Sequence, residues 1–318
     1  MPLLEVMDLT KHFPVRAGML GLSAGLVRAV DSVSFTLEVG ATLGLVGESG
    51  CGKTTTSKLI LGLESPTAGE IRFAGENIRA QGTEERRRYR RAIQAVFQDP
   101  YASLDPRMRV ETIIAEPLVI NEPSDAAGRR HRVRELLDLV GLPARAADLF
   151  PHEFSGGQRQ RIAIARALAL SPKLIVLDEP VSALDVSIRA QILNLLRDLQ
   201  MRLGVSYLFI SHDLAAVAHM SHTIAVMYLG KIVELGDAEA IALEPKHPYT
   251  KALFAAALPI DFDAKTEDVV LAGEVPSPLD PPSGCRFHPR CPYVLPQCAT
   301  EEPPLRLESG RLVACHLY

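Results

Sequence analysis

Residues 47–54 read Gly-Glu-Ser-Gly-Cys-Gly-Lys-Thr and decide the fold. This octapeptide matches the pattern G-x-x-x-x-G-K-[ST]. A short apolar run at 42–46 (TLGLV) precedes it, and TTTSKLILGL, which has helical spacing, follows from Thr54. A strand, a glycine-rich loop and a helix therefore succeed one another, which is the order in which such a loop binds phosphate.

The residue types of the loop suit the phosphates of a nucleotide. Glycines let the backbone turn its N–H groups toward phosphate oxygens, and the following helix adds the positive end of its dipole. We expect Lys53 to place its charge on the β- and γ-phosphates, the Thr54 hydroxyl to ligate Mg²⁺, and Cys51 to act as a small filler. The predicted nucleotide-binding set here is Gly47, Glu48, Ser49, Gly50, Cys51, Gly52, Lys53, Thr54 and Thr55.

A second apolar run, Leu174 to Asp178 (LIVLD), ends in a carboxylate. Since ligand sites lie at the carboxyl edge of open parallel sheets, Asp178 is predicted to help hold Mg²⁺ there. Glu179 follows directly, and a carboxylate beside the metal-holding aspartate is well placed to polarise an attacking water. These residues predict hydrolysis of ATP.

Apolar strands alternate with helical patterns along most of the chain, which favours an α/β fold with a mostly parallel sheet covered on both faces. The segment 99–157 interrupts this order with helical, proline-punctuated sequence and is predicted to be a helical insert. The predicted strands span 33–39, 42–46, 174–178, 206–211 and 223–229, and an amphipathic helix spans 188–203.

Composition limits the classes of function. The 318-residue chain has a formal net charge of −4, which argues against nucleic acid as a partner. The arginine run at 86–91 is interpreted as a solvated helix face. No apolar stretch reaches the length of a membrane span, and no signal peptide pattern is present, so we expect a cytoplasmic protein.

The stretch Phe154-Ser155-Gly156-Gly157-Gln158, followed by RQRIAIARAL and LIVLDEP, resembles the signature of the ATP-binding-cassette family, with Phe154 in place of the usual leucine. The resemblance covers residues 3 to 260. It implies a P-loop (RecA-like) cassette core with an N-terminal β subdomain at 1–98 and 158–235. It also implies an inserted helical subdomain at 99–157 and a cysteine-bearing C-terminal extension at 236–318.

The resemblance assigns further site residues. Gln98 (VFQDP) corresponds to a glutamine that senses Mg²⁺, Asp185 to an aspartate facing the opposite subunit, and His212 (FISHDL) to a histidine that contacts the γ-phosphate. Phe13 is the candidate for stacking on adenine. Glu179, His212 and Lys53 form the implied catalytic set, and Thr54, Gln98 and Asp178 the Mg²⁺ set. The signature residues Ser155, Gly156, Gly157 and Gln158 would bind nucleotide on a paired cassette.

His247 to Leu253 (HPYTKAL) and a later G-C-x₅-C-x₆-C arrangement resemble the oligopeptide/dipeptide importer branch, as the second of its two ATPases. This implies a peripheral protein on the cytoplasmic face of the membrane. Its partners would be a second, non-identical ATPase subunit, two transmembrane permease subunits and an extracytoplasmic substrate-binding protein. The alternatives are a soluble cassette ATPase acting on nucleic acid or ribosomes, and a regulatory module without hydrolysis. The single cassette disfavours the first, and the presence of Glu179 and His212 the second.

Four of the five cysteines, Cys285, Cys291, Cys298 and Cys315, lie in the last 34 residues. Four thiolates suit structural Zn²⁺ or a [4Fe–4S] cluster, and their spacing does not decide between the two. Free thiols are the third possibility. The resemblance to the importer branch favours the [4Fe–4S] cluster.

Overall fold

The computed structural model describes residues 2–17, 22–79, 82–98, 103–121, 125–257 and 273–318. The chain divides into two compact units. The first unit comprises Met1–Leu37, Thr42–Arg79 and Ile210–Tyr318, and the second comprises Glu38–Ala41 and Ala80–Phe209. The domain boundaries expected from the sequence stay predictions.

The first unit opens with an antiparallel sheet in the order β2-β1-β4-β5. Strands β1 (Leu4–Ala17) and β2 (Leu22–Leu37) form a long hairpin, paired from Leu4 opposite Leu37 to Ala17 opposite Leu22. The shorter β4 (Ala68–Phe73) and β5 (Glu76–Asn77) extend it. Side chains of β1 and β2 alternate between buried and accessible over much of their length, as expected for a sheet with one covered face.

A second group of strands in the first unit carries the phosphate loop. Strand β3 (Thr42–Val46) is fully buried and pairs in parallel with β9 (Thr223–Tyr228). Strand β9 pairs with β10 (Lys231–Asp237), and the tail strands β12 (Arg311–Val313) and β11 (Arg306–Glu308) add to β10 in antiparallel order. The C-terminal tail, residues 273–318, therefore adds two strands to the sheet that holds β3.

The described residues of the first unit include four helices: α1 (Lys53–Ile60), α7 (Leu214–Met220), α8 (Ala238–Leu243) and α9 (Pro248–Ala257). Helix α7 packs directly on β3, because a Cβ at Gly44 would overlap the side chains of Val217 and Ser221. Short 3₁₀ turns at His288–Arg290 and Pro296–Ala299 shape the tail.

The second unit contains β6 (Ile93–Val96) and β7 (Leu174–Asp178), paired in parallel, with β8 (Ser206–Ile210) beside β7; only the last residue of β8 belongs to the first unit. Every residue of β7 and β8 is buried, as expected for strands covered on both faces. The accompanying helices are α2 (Thr83–Ala92), α5 (Gly156–Leu168) and α6 (Val186–Leu203). Helix α6 ends at Gly204, whose φ of 65° suits a glycine cap.

The helical insert contains α3 (Val110–Asn121), α4 (Ala126–Leu139) and 3₁₀ turns at Ala144–Asp148 and Pro151–Glu153. Its described residues, 103–121 and 125–157, include no strand, in agreement with the sequence pattern. Buried apolar side chains join its helices: Val110, Ile114, Val133, Leu136, Leu137 and Val140. Over all the described ranges, no helix has the length and apolar character to cross a bilayer.

Candidate nucleotide-binding site

The loop between β3 and α1 has a backbone that only glycine permits at two positions. Gly47 has a φ of 149° and Gly52 a φ of 113°. A Cβ at Gly47 would overlap the carbonyl oxygen of Met227, and one at Gly52 would overlap that of Ala29. The two glycines therefore allow the loop to lie against the backbone of β9 and β2, which fixes the path of the N–H groups between them.

Lys53 curls back over this loop. Its Nζ donates to the carbonyl oxygens of Gly47 at 2.7 Å and Glu48 at 2.9 Å, and the side chain is 7% exposed. A positive charge is thus held at the N-terminus of α1, beside the end of the helix that already favours anions. Thr54 is exposed and Thr55 half-buried, so the Thr54 hydroxyl is accessible to a ligand.

Cys51 lies inside the loop but is suited to packing. Burial raises the pKa of its thiol above the ordinary value, although nearby Lys53 acts in the opposite direction. A neutral, buried thiol is a poor nucleophile. The structure therefore agrees with the interpretation of Cys51 as a filler.

In the second unit, two predicted site residues meet. Gln98 follows β6 and Glu179 follows β7, and the two strands are parallel neighbours with Val96 opposite Leu177. Gln98 Nε2 donates to Glu179 Oε2 at 2.8 Å. Glu179 has a φ of 52°, an unfavourable backbone conformation for a non-glycine residue. The fold thus holds this carboxylate in a strained position immediately after the buried Asp178.

The signature residues form the start of α5. The Ser155 hydroxyl accepts the N–H of Gln158 at 3.4 Å, and the Gln158 side-chain oxygen accepts the N–H of Ser155 at 3.0 Å. This reciprocal cap presents an exposed helix N-terminus, which is a favourable place for an anion. A Cβ at Gly157 would overlap Ile188 of α6, so glycine is required for the two helices to approach.

Asp185 caps α6. Its carboxylate accepts the N–H of Ile188 at 3.0 Å and the hydroxyl of Ser187 at 3.0 Å, and the first of these bonds is the main reason why its pKa is lowered. The next residue, Val186, is 79% exposed.

Two further predicted residues belong to the first unit. His212 is exposed in the turn between β8 and α7, where Asp213 caps α7 through the N–H of Ala216 at 3.1 Å. Phe13 is half-buried on β1, and the ammonium of Lys11 lies 4.7 Å from its ring centroid. The other predicted site residues of this unit are those of the phosphate loop and the tail cysteines, whereas Gln98, Asp178, Glu179, Asp185 and the signature residues belong to the second unit.

Sequence reasoning missed the residues whose side chains hold Glu48 of the phosphate loop, Tyr249 and Arg290. The Tyr249 hydroxyl accepts the Glu48 N–H at 2.8 Å. Arg290 donates to both carboxylate oxygens of Glu48, at 2.7 and 3.0 Å. Tyr249 lies within the HPYTKAL stretch and Arg290 next to Cys291, so both stood in segments already singled out. Neither sequence pattern indicates that Tyr249 or Arg290 contacts Glu48.

The tail cysteines influence one another's pKa. Burial raises the pKa of Cys285 to about 11, and the thiols of Cys298, Cys315 and Cys291 add to the rise. The Cys285 N–H donates to the Cys298 carbonyl at 2.8 Å. Among the described residues, no group of three or more histidine, cysteine, aspartate or glutamate side chains is placed to hold a metal ion. The expected [4Fe–4S] cluster or Zn²⁺ therefore stays a prediction.

Comparison with known families shows where the chain belongs. Residues 30–182 match the model described as ABC transporter, and residues 233–298 match that of the oligopeptide/dipeptide transporter C-terminal region. The chain is 52% identical to the probable peptide ABC transporter ATP-binding protein y4tS of Sinorhizobium fredii, over 99% of this chain and 90% of that protein. The chain belongs to the ATP-binding-cassette transporter family. The resemblance inferred from the signature is thereby confirmed, and so is the ATPase class.

Other relatives and solved structures agree. The dipeptide transport ATP-binding protein DppF of Escherichia coli is 49% identical over 99% of this chain and 94% of its own length. The oligopeptide transport ATP-binding protein AppF of Bacillus subtilis is also 49% identical, over 99% and 97%. The cassette MJ0796, solved as a dimer in a post-hydrolysis state with ADP and Pi, is 28% identical with a TM-score of 0.65, over 74% of this chain and 98% of that one. The predicted α/β cassette fold is confirmed.

Proposed function

We propose that this chain is an ATP-hydrolysing subunit of a peptide-type importer, and that its hydrolysis energises uptake through separate permeases. ATP hydrolysis is supported by one observation: the strained Glu179 is held by Gln98 at the carboxyl ends of two parallel strands. The peptide half is supported by relatives named as peptide, dipeptide and oligopeptide transport proteins.

The proposed chemistry is attack of water on the γ-phosphate of ATP, giving ADP and phosphate. Glu179 would accept a hydrogen bond from the attacking water, Lys53 would bind the β- and γ-phosphates, and His212 would contact the γ-phosphate. Mg²⁺, held by Thr54, Gln98 and Asp178, would neutralise charge on the phosphate oxygens. Oxygen atoms are the ligands that Mg²⁺ prefers. The accessible Thr54 hydroxyl, the Gln98 amide after β6 and the Asp178 carboxylate at the end of β7 supply them.

We propose that two cassettes pair, with the helix end at Ser155 and Gly157 serving ATP bound on the partner. The capped, exposed start of α5 supports this, as does the exposed Val186 beside Asp185. A dimeric solved cassette of the same family supports it further. The partner cassette is proposed to be a non-identical ATPase subunit.

The helical insert is the proposed contact with the two permeases. A groove of about 330 Å³ lies between α3 and α4, and its rim includes Val119 and Ile120, which are 61% and 69% exposed. Glu111 and Arg130 lie on the same groove. A groove lined by both apolar and charged side chains suits a short amphipathic helix from a membrane subunit. The chain would then sit peripherally on the cytoplasmic face of the membrane, and an extracytoplasmic binding protein would deliver the peptide.

The metal in the tail stays a prediction that rests on the four cysteines of the sequence, Cys285, Cys291, Cys298 and Cys315. Absorbance near 400 nm together with iron and zinc analysis of anaerobically purified protein tests it. A colourless sample with zinc alone would contradict the [4Fe–4S] cluster, and a metal-free sample would contradict both metals.

The proposed function is tested with the assembled transporter in proteoliposomes. We expect ATP-dependent uptake of a labelled dipeptide, and Glu179→Gln should lower ATP turnover by about 100-fold or more while Mg-ATP still binds. Glu84→Gln, on the exposed face of α2, is the matched control and should keep full activity. Turnover that survives Glu179→Gln would refute the catalytic assignment, and hydrolysis without peptide uptake would refute the cargo.

A further inference from the structure

The tail of the first unit contacts the cassette core through two arginines close together in sequence. Arg286 donates to the Asp31 carboxylate and to the carbonyl of Leu229. Arg290 donates to Glu48 of the phosphate loop. Both guanidinium side chains are almost fully buried, at 6% and 5% exposure. The same short segment is therefore anchored twice, once to the core alone and once to the loop.

The contact to the loop is a two-point ion pair. Arg290 donates to each oxygen of the Glu48 carboxylate, and its guanidinium also lies 5.9 Å from the ring centroid of Tyr228. Planar, bidentate pairs of this kind fix geometry as well as contributing energy. The Glu48 side chain is 25% exposed, so solvent reduces the strength of the pair but does not surround it.

The backbone of Glu48 is held from the same side. Its N–H donates to the Tyr249 hydroxyl at 2.8 Å, and Tyr249 is itself fully buried against the rings of Tyr228 and Phe287. The carbonyl of Glu48 accepts the Nζ of Lys53. One loop residue thus connects the tail to the lysine assigned to the phosphates.

We propose that Arg290 and Tyr249 are positioning residues for ATP: they set the conformation of the phosphate loop at Glu48, so that their contacts to Glu48 determine nucleotide affinity. This inference rests on the proposed ATP site. A side chain that is rigid and buried can orient the loop without touching the nucleotide, and a small displacement of the loop would misalign both its N–H groups and Lys53.

The test is titration of the full-length chain with Mg-ATP by isothermal calorimetry. Arg290→Met and Glu48→Gln should each weaken binding on the order of 10-fold, and the double variant should be no weaker than either single one. Arg290→Lys should restore little, because an ammonium cannot make the two-point pair. In the transporter assembled with Arg290→Met, the KM for ATP should rise with little change in kcat.

Arg286→Met is the matched control, since it removes the other anchor of the same segment without a contact to the loop. It should weaken ATP binding clearly less than Arg290→Met does, because its bond to the Leu229 carbonyl reaches the loop only through the N–H of Gly230, which donates to Cys51. Equal weakening by Arg286→Met and Arg290→Met would overturn the proposal, and so would wild-type affinity in Arg290→Met or additive effects in the double variant. If Arg290→Met does not fold, Tyr249→Phe decides: it keeps the buried ring, and unchanged affinity there refutes the positioning role. A wild-type chain that does not bind ATP would instead refute the proposed function.

Discussion

Replacing His247 with asparagine should remove a defined part of the protein's loss of stability in acid. His247 lies immediately before α9, is 1% exposed, and its Nδ1 accepts the N–H of Tyr249 at 3.1 Å. The backbone N–H of His247 donates to the buried carboxylate of Glu234 at 2.9 Å, and Arg311 lies 3.5 Å from that carboxylate. Burial lowers the pKa of the His247 imidazole to about 3.

The sign follows from the two states. In the unfolded chain the imidazole has its ordinary pKa of 6.5, so that state takes up a proton at a pH where the folded state remains neutral. Because the folded pKa is lowered, His247 does not reduce the free energy of unfolding above about pH 6.5. As the pH falls from about 6.5 toward 3, the unfolded chain takes up the proton first, and the free energy of unfolding decreases. Between pH 7 and pH 5 the expected loss is about 2 kcal/mol.

Asparagine is the matched replacement, because its side-chain oxygen can still accept the N–H of Tyr249 while it has no group that titrates. The assay is urea unfolding of wild type and His247→Asn at pH 7 and at pH 5. Carboxylates and the other histidines titrate in both proteins, so the difference between the two pH dependences isolates His247. The free energy of unfolding of wild type should fall by about 2 kcal/mol more than that of the variant. Equal falls would refute the burial argument.

Three further changes have clear expected outcomes. Gly52→Ala should abolish Mg-ATP binding measured by calorimetry, whereas Gly40→Ala, also at a positive φ but with open space around it, should bind normally. Phe287→Ala should lower the free energy of unfolding in urea by about 3–5 kcal/mol, and Phe287→Leu by clearly less, because leucine refills part of the cavity. Asp185→Ala should lose the α6 cap and about 1 kcal/mol of stability, while Asp185→Asn keeps it. Loss of ATP turnover in Asp185→Asn would show that Asp185 does more than cap α6. Full turnover in both variants would refute the expected contact of Asp185 with the paired cassette.

The strands near the site were predictable because their patterns are local. Strands β3 and β7 occupy the predicted ranges 42–46 and 174–178, since each is a continuous apolar run closed by a glycine loop or a charged turn. The tail strands at 306–308 and 311–313 were not predicted. Three residues are too few to show alternation, and these strands exist because β10 offers them an edge to pair with.

The site was predictable in parts and not in its connections. The glycine loop, the carboxylates after β7 and the capped signature helix each have a local pattern with a physical reason. The hydrogen bond between Gln98 and Glu179 joins residues 81 positions apart and depends on which strands pair. Spacing of the cysteines predicts a metal, but spacing does not fix the directions of four thiols, and no group of three or more such side chains in the described part of the chain is placed to hold an ion.

The phosphate loop illustrates why a motif predicts a site but not its rigidity. Gly47 and Gly52 are needed because the backbones of β9 and β2 lie against the loop, and the N–H of Gly230 donates to the carbonyl of Cys51 at 2.8 Å. Arg290 then holds the Glu48 side chain from the tail. With the Tyr249 hydroxyl that accepts the Glu48 N–H, support therefore comes from four segments far apart in sequence. A fragment that kept the motif, β3 and α1 but lacked these segments would contain every residue of the pattern, yet nothing would hold the loop in a single conformation. The binding energy of ATP would then have to offset the entropy that the loop loses when it becomes ordered. The affinity of the site is therefore a property of the folded unit as a whole.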